Sequence, residues 1–117
     1  MSKLTDKDLP TDKASLREIQ AYIKKMMADR GFLNNKIPNE MMMLTEEVGE
    51  LSKALREHIG GRFDEKTSRK DVKEEFADIL VVLMVIANLL EIDIYDAFIE
   101  KEKVNFSRNW KKIGGKE

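Results

Sequence analysis

The sequence predicts an all-α protein: a four-to-five-helix chain whose helical bundle is completed by dimerisation. Apolar residues recur three and four positions apart in four segments, as they do on one face of a helix. Proline, glycine and capping residues separate these segments, and no alternating strand pattern lies between them. With 117 residues, the chain is expected to form a single domain with a modest core, residues 1–11 and 112–117 being flexible.

The first helix is predicted over roughly residues 12–30. It follows Pro10 and Thr11, or it starts at a capping box formed by Ser15 and Glu18. Gly31 ends it, because glycine readily adopts the left-handed conformation that terminates helices. Its apolar stripe contains Leu16, Ile19, Ile23, Met26 and Met27.

The second helix is predicted from an N-cap at Asn39 to about Ile59, where Gly60 and Gly61 break it. Gly49 lies in its middle and costs about 1 kcal/mol relative to alanine. We therefore expect another helix to approach closely at Gly49.

The third helix is predicted from a cap at Ser68, with Asp71 in its first turn, to about Leu90. Residues 79–90 are apolar on every side except at Asn88, so they must be covered on every side. Three other short helices can barely provide that cover. We therefore expect a dimer with residues 79–90 near its interface.

The fourth helix is predicted to start at an Asp93 cap supported by Asp96 and to end before Gly114. Its inward-facing residues are expected to be Ile94, Ala97, Phe98 and Val104.

Composition excludes several classes of function. The net charge of -1 combines 21 basic with 22 acidic residues, so no large basic field is available for nucleic acid. The chain has no cysteine, which excludes disulfides and thiolate metal sites and fits a cytoplasmic location. No signal peptide is recognised, and residues 79–90 are too few to span a membrane.

Two helical segments carry clustered acids beside apolar residues. Glu46, Glu47 and Glu50 lie in the second helix, and Glu75 and Asp78 lie in the third. Residues three or four apart share a helix face, so these acids mostly repel one another, and Lys53 and Lys73 offer only partial relief. Acids at the edge of an apolar face are costly unless a cation joins them, which favours a metal site over a solvated face.

The ligand chemistry indicates a hard cation. His58 is the only histidine, so a nitrogen-ligand site is not expected. Carboxylates on helices suit Mg²⁺, or Mn²⁺ in its place, and Mg²⁺ commonly keeps phosphate oxygens as further ligands. Lys101, Asn105 and Arg108 share a predicted face of the last helix, which either binds phosphate or complements the helix dipole.

The motif EEVGE at 46–50, followed after 24 residues by EFAD at 75–78, resembles the EExxE and ExxD signature of MazG-like, all-α nucleotide pyrophosphatases. The resemblance covers roughly residues 12–110. It implies Mg²⁺-dependent hydrolysis of nucleoside triphosphates to the monophosphate and pyrophosphate by a homodimer or a dimer of dimers. It assigns the metal to Glu47, Glu50, Glu75 and Asp78.

The same resemblance assigns further roles. Glu46 or Glu47 would accept a proton from the attacking water, whereas Phe32 and Asn35 are candidates for base selection. The residues expected to bind substrate are Phe32, Asn35, Lys53, Lys101, Lys103, Asn105 and Arg108. The chain departs from several relatives in lacking a tryptophan in its first two helices; its sole tryptophan is Trp110. The alternatives are a phosphoribosyl-ATP pyrophosphatase of the same superfamily and a non-catalytic helical interaction module.

Overall fold

A computed structural model of the chain describes residues 3–60 and 69–108. These residues form a 3-10 helix, Asp6–Asp8, and four α-helices, and no strand occurs among them. The α-helices are α1 (Leu16–Arg30), α2 (Ile37–His58), α3 (Arg69–Leu89) and α4 (Ile94–Phe106). The all-α prediction is confirmed.

The boundaries of α1 follow the capping residues. Ser15 and Glu18 form a reciprocal capping box, so the helix starts at Leu16 and the broader start near residue 12 was wrong. At the other end, Gly31 adopts a left-handed conformation with φ of 78° and donates its N–H to the Met27 carbonyl. The capping box and the terminal glycine are both as predicted.

The start of α2 corrects the prediction of an Asn39 cap. The helix begins at Ile37, after Lys36, which makes no side-chain capping bond. Pro38 lies in the first turn, where its fixed φ and missing N–H are tolerated, so the helix starts earlier than the capping pattern indicated.

Gly49 also differs from expectation. A Cβ atom at this position would meet no atom within 4 Å in the described chain. The close helix approach predicted there is therefore absent from the described part of the protein.

The core lies between α1 and α3. It consists of Ile23, Met26 and Met27 from α1 with Met84 and Val85 from α3. The predicted apolar stripe of α1 is thus confirmed as the buried face. Helix α2 packs along α3, and α4 packs on α1.

A buried amide network fixes the turn between α3 and α4. Gln20 is 8% exposed, and its Nε2 donates to Asn88 Oδ1 at 3.0 Å and to the Ile92 carbonyl at 2.7 Å. The N–H of Ile94 donates to Gln20 Oε1 at 2.9 Å. Asn88, the polar exception in an apolar run, therefore ties α3 to α1.

Arg17 also links α4 to α1 at the surface. The guanidinium Nε lies 3.1 Å from Asp93 Oδ2, a second nitrogen pairs with Asp96, and the ring centre of Tyr95 is 4.7 Å from Cζ. Asp93 caps the helix as predicted, and its pKa is lowered, chiefly by the backbone N–H of Asp96.

The far half of α4 corrects the predicted inward face. Ala97, Phe98 and Val104 are exposed, so they do not face inward in the described chain. The helix ends at Phe106, before Gly114 as predicted, and the Ser107 hydroxyl donates to the Val104 carbonyl at 2.6 Å.

The apolar half of α3 is covered only in part. Met84, Val85, Ile86 and Ala87 are buried, whereas Leu80, Leu83 and Leu90 are exposed. The predicted dimer stays a prediction.

Among the residues described, no helix has the length and apolar character needed to cross a membrane. The predictions for Gly61, Ser68, Trp110 and residues 112–117 fall outside the described residues.

Candidate metal and nucleotide site

Three of the predicted acids converge. Glu47 on α2 and Glu75 and Asp78 on α3 each offer a carboxylate oxygen, and these oxygens all lie within 4.8 Å of one another. The i, i+3 spacing puts Glu75 and Asp78 on one face of α3, and packing of α2 along α3 brings Glu47 to that face. We call these three residues the carboxylate cluster.

The cluster is crowded and partly shielded from water. Glu47 and Glu75 are half-buried, and Asp78 is exposed. The Oε2 atoms of Glu47 and Glu75 are buried without a hydrogen-bond partner. A buried carboxylate oxygen without a donor is costly, and a bound cation would satisfy both atoms. The cluster therefore fits a divalent ion with oxygen ligands.

The raised pKa of Glu75 also favours a cation at the cluster. Burial, a hydrogen bond with Glu47, and the charges of Glu50, Glu47 and Asp78 together raise the pKa of Glu75 to about 7. Near neutral pH the cluster thus retains a proton for part of the time. A cation there would replace the proton as the neutralising charge.

Glu50 and Lys53 belong to an adjoining pocket of about 260 Å³. Its walls are formed by Glu50, Lys53, Ala54, Glu57, Asp71 and Glu75. Glu50 is exposed, and its negative charge helps to raise the pKa of Glu75. Glu46, one turn earlier on α2, is also exposed. Glu46 lies outside the cluster.

The two base-selection candidates have partners within the chain. Phe32 is half-buried and packs against the core, and its N–H donates to the Met27 carbonyl at 2.7 Å. The Asn35 Nδ2 donates to Glu40 Oε1 at 2.7 Å. Residue patterns did not identify Glu40, although its position seven residues before Glu47 was a usable signal.

The predicted cationic face is not continuous. Lys101 and Lys103 are exposed on α4 and Asn105 is half-buried, whereas Arg108 follows the end of the helix. The expected face shared by Lys101, Asn105 and Arg108 therefore stops at Asn105. The described packing joins α4 chiefly to α1, whereas the acids lie between α2 and α3.

Comparison with known proteins settles the family. The model of the MazG nucleotide pyrophosphohydrolase domain matches residues 37–106, which contain the whole carboxylate cluster. The chain belongs to the MazG family. It is also similar to the uncharacterized protein YpjD of Bacillus subtilis (strain 168), with 32% identity over 87 residues, 71% of this chain and 76% of that protein. The resemblance read from EEVGE and EFAD is confirmed. Family membership indicates a hydrolase that acts on nucleotides.

Proposed function

We propose that the protein is a Mg²⁺-dependent nucleoside triphosphate pyrophosphohydrolase that converts a (deoxy)nucleoside triphosphate and water into the monophosphate and pyrophosphate. The observation that carries this proposal is the convergence of Glu47, Glu75 and Asp78 within 4.8 Å, with two buried oxygens lacking a donor.

The metal ligands in this proposal are Glu47, Glu75 and Asp78, with Glu50 completing the set from the neighbouring pocket wall. Carboxylate oxygens suit Mg²⁺, and Mn²⁺ has the same preference. When bound, the ion would neutralise charge on the phosphate oxygens.

The chain itself supplies proton transfer. The water oxygen forms a bond to the α-phosphorus, the bond from that phosphorus to the bridging oxygen breaks, and pyrophosphate leaves with that oxygen. Glu46 accepts the water proton, because it is exposed, is not committed to the cluster and lies one turn from Glu50. Lys53, in the wall of the adjoining pocket, contacts the phosphates.

A second copy of the chain completes the site. Phe76, Leu80 and Leu83 lie on one face of α3 beside the acids and are 58%, 41% and 43% exposed. Phe98 and Phe106 of α4 are likewise exposed. Pairing of these apolar faces in a homodimer, alone or within a dimer of dimers, would bury them. It would also bring Lys101, Lys103, Asn105 and Arg108 of one copy toward the acids of the other.

Product analysis tests the proposal. A panel of canonical and damaged triphosphates, with phosphoribosyl-ATP included, is incubated with Mg²⁺, and both pyrophosphate and monophosphate are quantified. We expect at least one nucleoside triphosphate to yield the two products in equal amounts. Glu50→Gln and Asp78→Asn should lose turnover while retaining their circular dichroism spectra, and the exposed Asp12→Asn serves as a charge-matched control.

Three outcomes would contradict the proposal in different ways. Retained turnover in both Glu50→Gln and Asp78→Asn would show that other residues hold the metal. Turnover confined to phosphoribosyl-ATP would identify the protein as a phosphoribosyl-ATP pyrophosphatase. Background pyrophosphate with every substrate, together with no effect of Mg²⁺ on thermal stability, would favour the interaction module.

A further inference from the structure

One stripe of α2 connects the carboxylate cluster to the loop before the helix. The buried and half-buried positions Glu40, Leu44, Glu47, Leu51 and Ala54 follow one another at intervals of four and three residues, whereas Met41–Met43 are exposed. Glu40 and Glu47 are therefore on the same side of α2, separated by about 10.5 Å along its axis at 1.5 Å per residue. Two helical turns are comparable with the separation of the α-phosphate and the base edge in a nucleotide.

At the far end of this stripe, Glu40 orients an amide. Glu40 is only 9% exposed, and its Oε1 accepts a hydrogen bond from Asn35 Nδ2 at 2.7 Å. An ionised carboxylate has acceptors and no donor, whereas an amide has both. Turning the Asn35 amide by 180° would place its Oδ1 against the carboxylate oxygen. Glu40 therefore holds the amide in one of its two orientations.

We propose that Glu40 is a positioning residue that, by fixing the Asn35 amide, commits the site to one hydrogen-bonding class of base. This inference rests on the proposed function. Adenine and cytosine present an amino donor beside a ring-nitrogen acceptor, and guanine and uracil present a carbonyl acceptor beside a ring N–H. An amide that can turn over pairs with either class, but one held by a carboxylate pairs with only one.

The test compares the amino class, ATP and CTP, with the keto class, GTP and UTP. For the intact protein we expect kcat/KM to differ about tenfold or more between the two members of at least one size-matched pair, CTP with UTP or ATP with GTP. Glu40→Gln keeps the size of the side chain, but its amide can also donate to Asn35 Oδ1, so both orientations become available. In this variant the ratio of kcat/KM between the favoured and the disfavoured class should fall toward one, chiefly because the disfavoured class is hydrolysed faster. Asn35→Ala should lose the preference by slowing the favoured class.

Ser15→Ala is the control for stability, because it removes the α1 cap away from this pair. It should leave the preference unchanged even if the melting temperature falls. A protein with equal kcat/KM for the two classes would overturn the inference. So would a Glu40→Gln variant that is slower on all four nucleotides with its preference intact, since that result indicates a purely structural role.

Equilibrium binding of the same four nucleotides in the presence of Ca²⁺ separates this inference from the proposed function. If no nucleotide is hydrolysed but binding is class-selective and Glu40→Gln removes the selectivity, the proposed activity fails and the role of Glu40 holds. If binding shows no class preference and nothing is hydrolysed, both fail.

Discussion

Replacing Glu75 with glutamine should stabilise the metal-free protein at high pH. The substitution keeps the size of the side chain and removes a charge that Glu47, Glu50 and Asp78 oppose. Burial, the hydrogen bond with Glu47 and these three negative charges together raise the Glu75 pKa from 4.5 to about 7. A difference of this size corresponds to about 3–4 kcal/mol at about 1.4 kcal/mol for each pKa unit. Because Glu50 and Asp78 are exposed and solvent screens them, we expect about 1–2 kcal/mol to be measurable.

The sign of the pH dependence follows from the raised pKa. Below pH 4.5, Glu75 is protonated in both the folded and the unfolded chain, so its stabilising contribution is fully present. As pH rises toward 7, the unfolded chain ionises first and that contribution is lost. The variant is neutral throughout, so its advantage over the wild type should be small at pH 5 and largest at pH 8.

Urea denaturation in EDTA, at pH 5 and pH 8 and at one fixed protein concentration, measures this difference. Fixed concentration is needed because an oligomer gains stability by mass action. Asp12→Asn, a carboxylate-to-amide change at an exposed position, should show no comparable gain. Equal free energies of unfolding for Glu75→Gln and wild type at pH 8, or a gain that is the same at both pH values, would refute the reasoning.

Three further predictions concern the fold and its assembly. Glu91 adopts a left-handed conformation with φ of 56° at the end of α3. Glu91→Gly should therefore raise the free energy of unfolding by about 0.5–1 kcal/mol, while Glu91→Ala should not. A loss of stability in the glycine variant would contradict this. Gln20→Ala removes the hydrogen-bond partners of Asn88 and of the Ile94 N–H, so it should lower the free energy of unfolding by about 2–3 kcal/mol in urea denaturation. The exposed Lys24→Ala on the same helix should lower it by less than about 0.5 kcal/mol. Equal losses in the two variants would contradict this prediction. Phe76→Ser combined with Leu80→Ser should convert a sedimenting dimer to a monomer, and an unchanged sedimentation coefficient would move the interface elsewhere.

Much of the fold could be predicted because local patterns and tertiary packing agree. Ser15 with Glu18 is a complete capping signal, and the stripe through Ile23 and Met27 has one possible buried face. The start of α2 was misplaced because Asn39 has the chemistry of a cap, whereas Pro38 already fits the first turn of the helix. Spacing alone does not decide between two compatible starts.

The rest depended on contacts between distant segments. Sequence reasoning placed Phe98 and Val104 inward from helical periodicity, but only packing determines which face of α4 meets another helix, and both are exposed here. Similarly, the pair of Gln20 and Asn88 lies 68 positions apart. No periodic pattern reveals such a hydrogen bond.

The residues of the candidate site likewise include some that helix spacing predicted and some that only the structure revealed. The acid spacing predicted that Glu47, Glu75 and Asp78 could meet, because helix geometry fixes which side chains share a face. The link between Asn35 and Glu40 required coordinates, since a loop residue has no fixed periodicity.

Mn²⁺ titration followed by electron paramagnetic resonance tests the central claim most directly. The signal of free Mn²⁺ diminishes as the ion binds, so the assay needs neither substrate nor turnover. We predict saturable binding to the wild-type protein that Mg²⁺ displaces and that Asp78→Asn and Glu75→Gln weaken at least tenfold, with Asp12→Asn unaffected. Equal Mn²⁺ binding by all four proteins, or no binding by the wild type, would contradict the assignment of a metal site to these carboxylates.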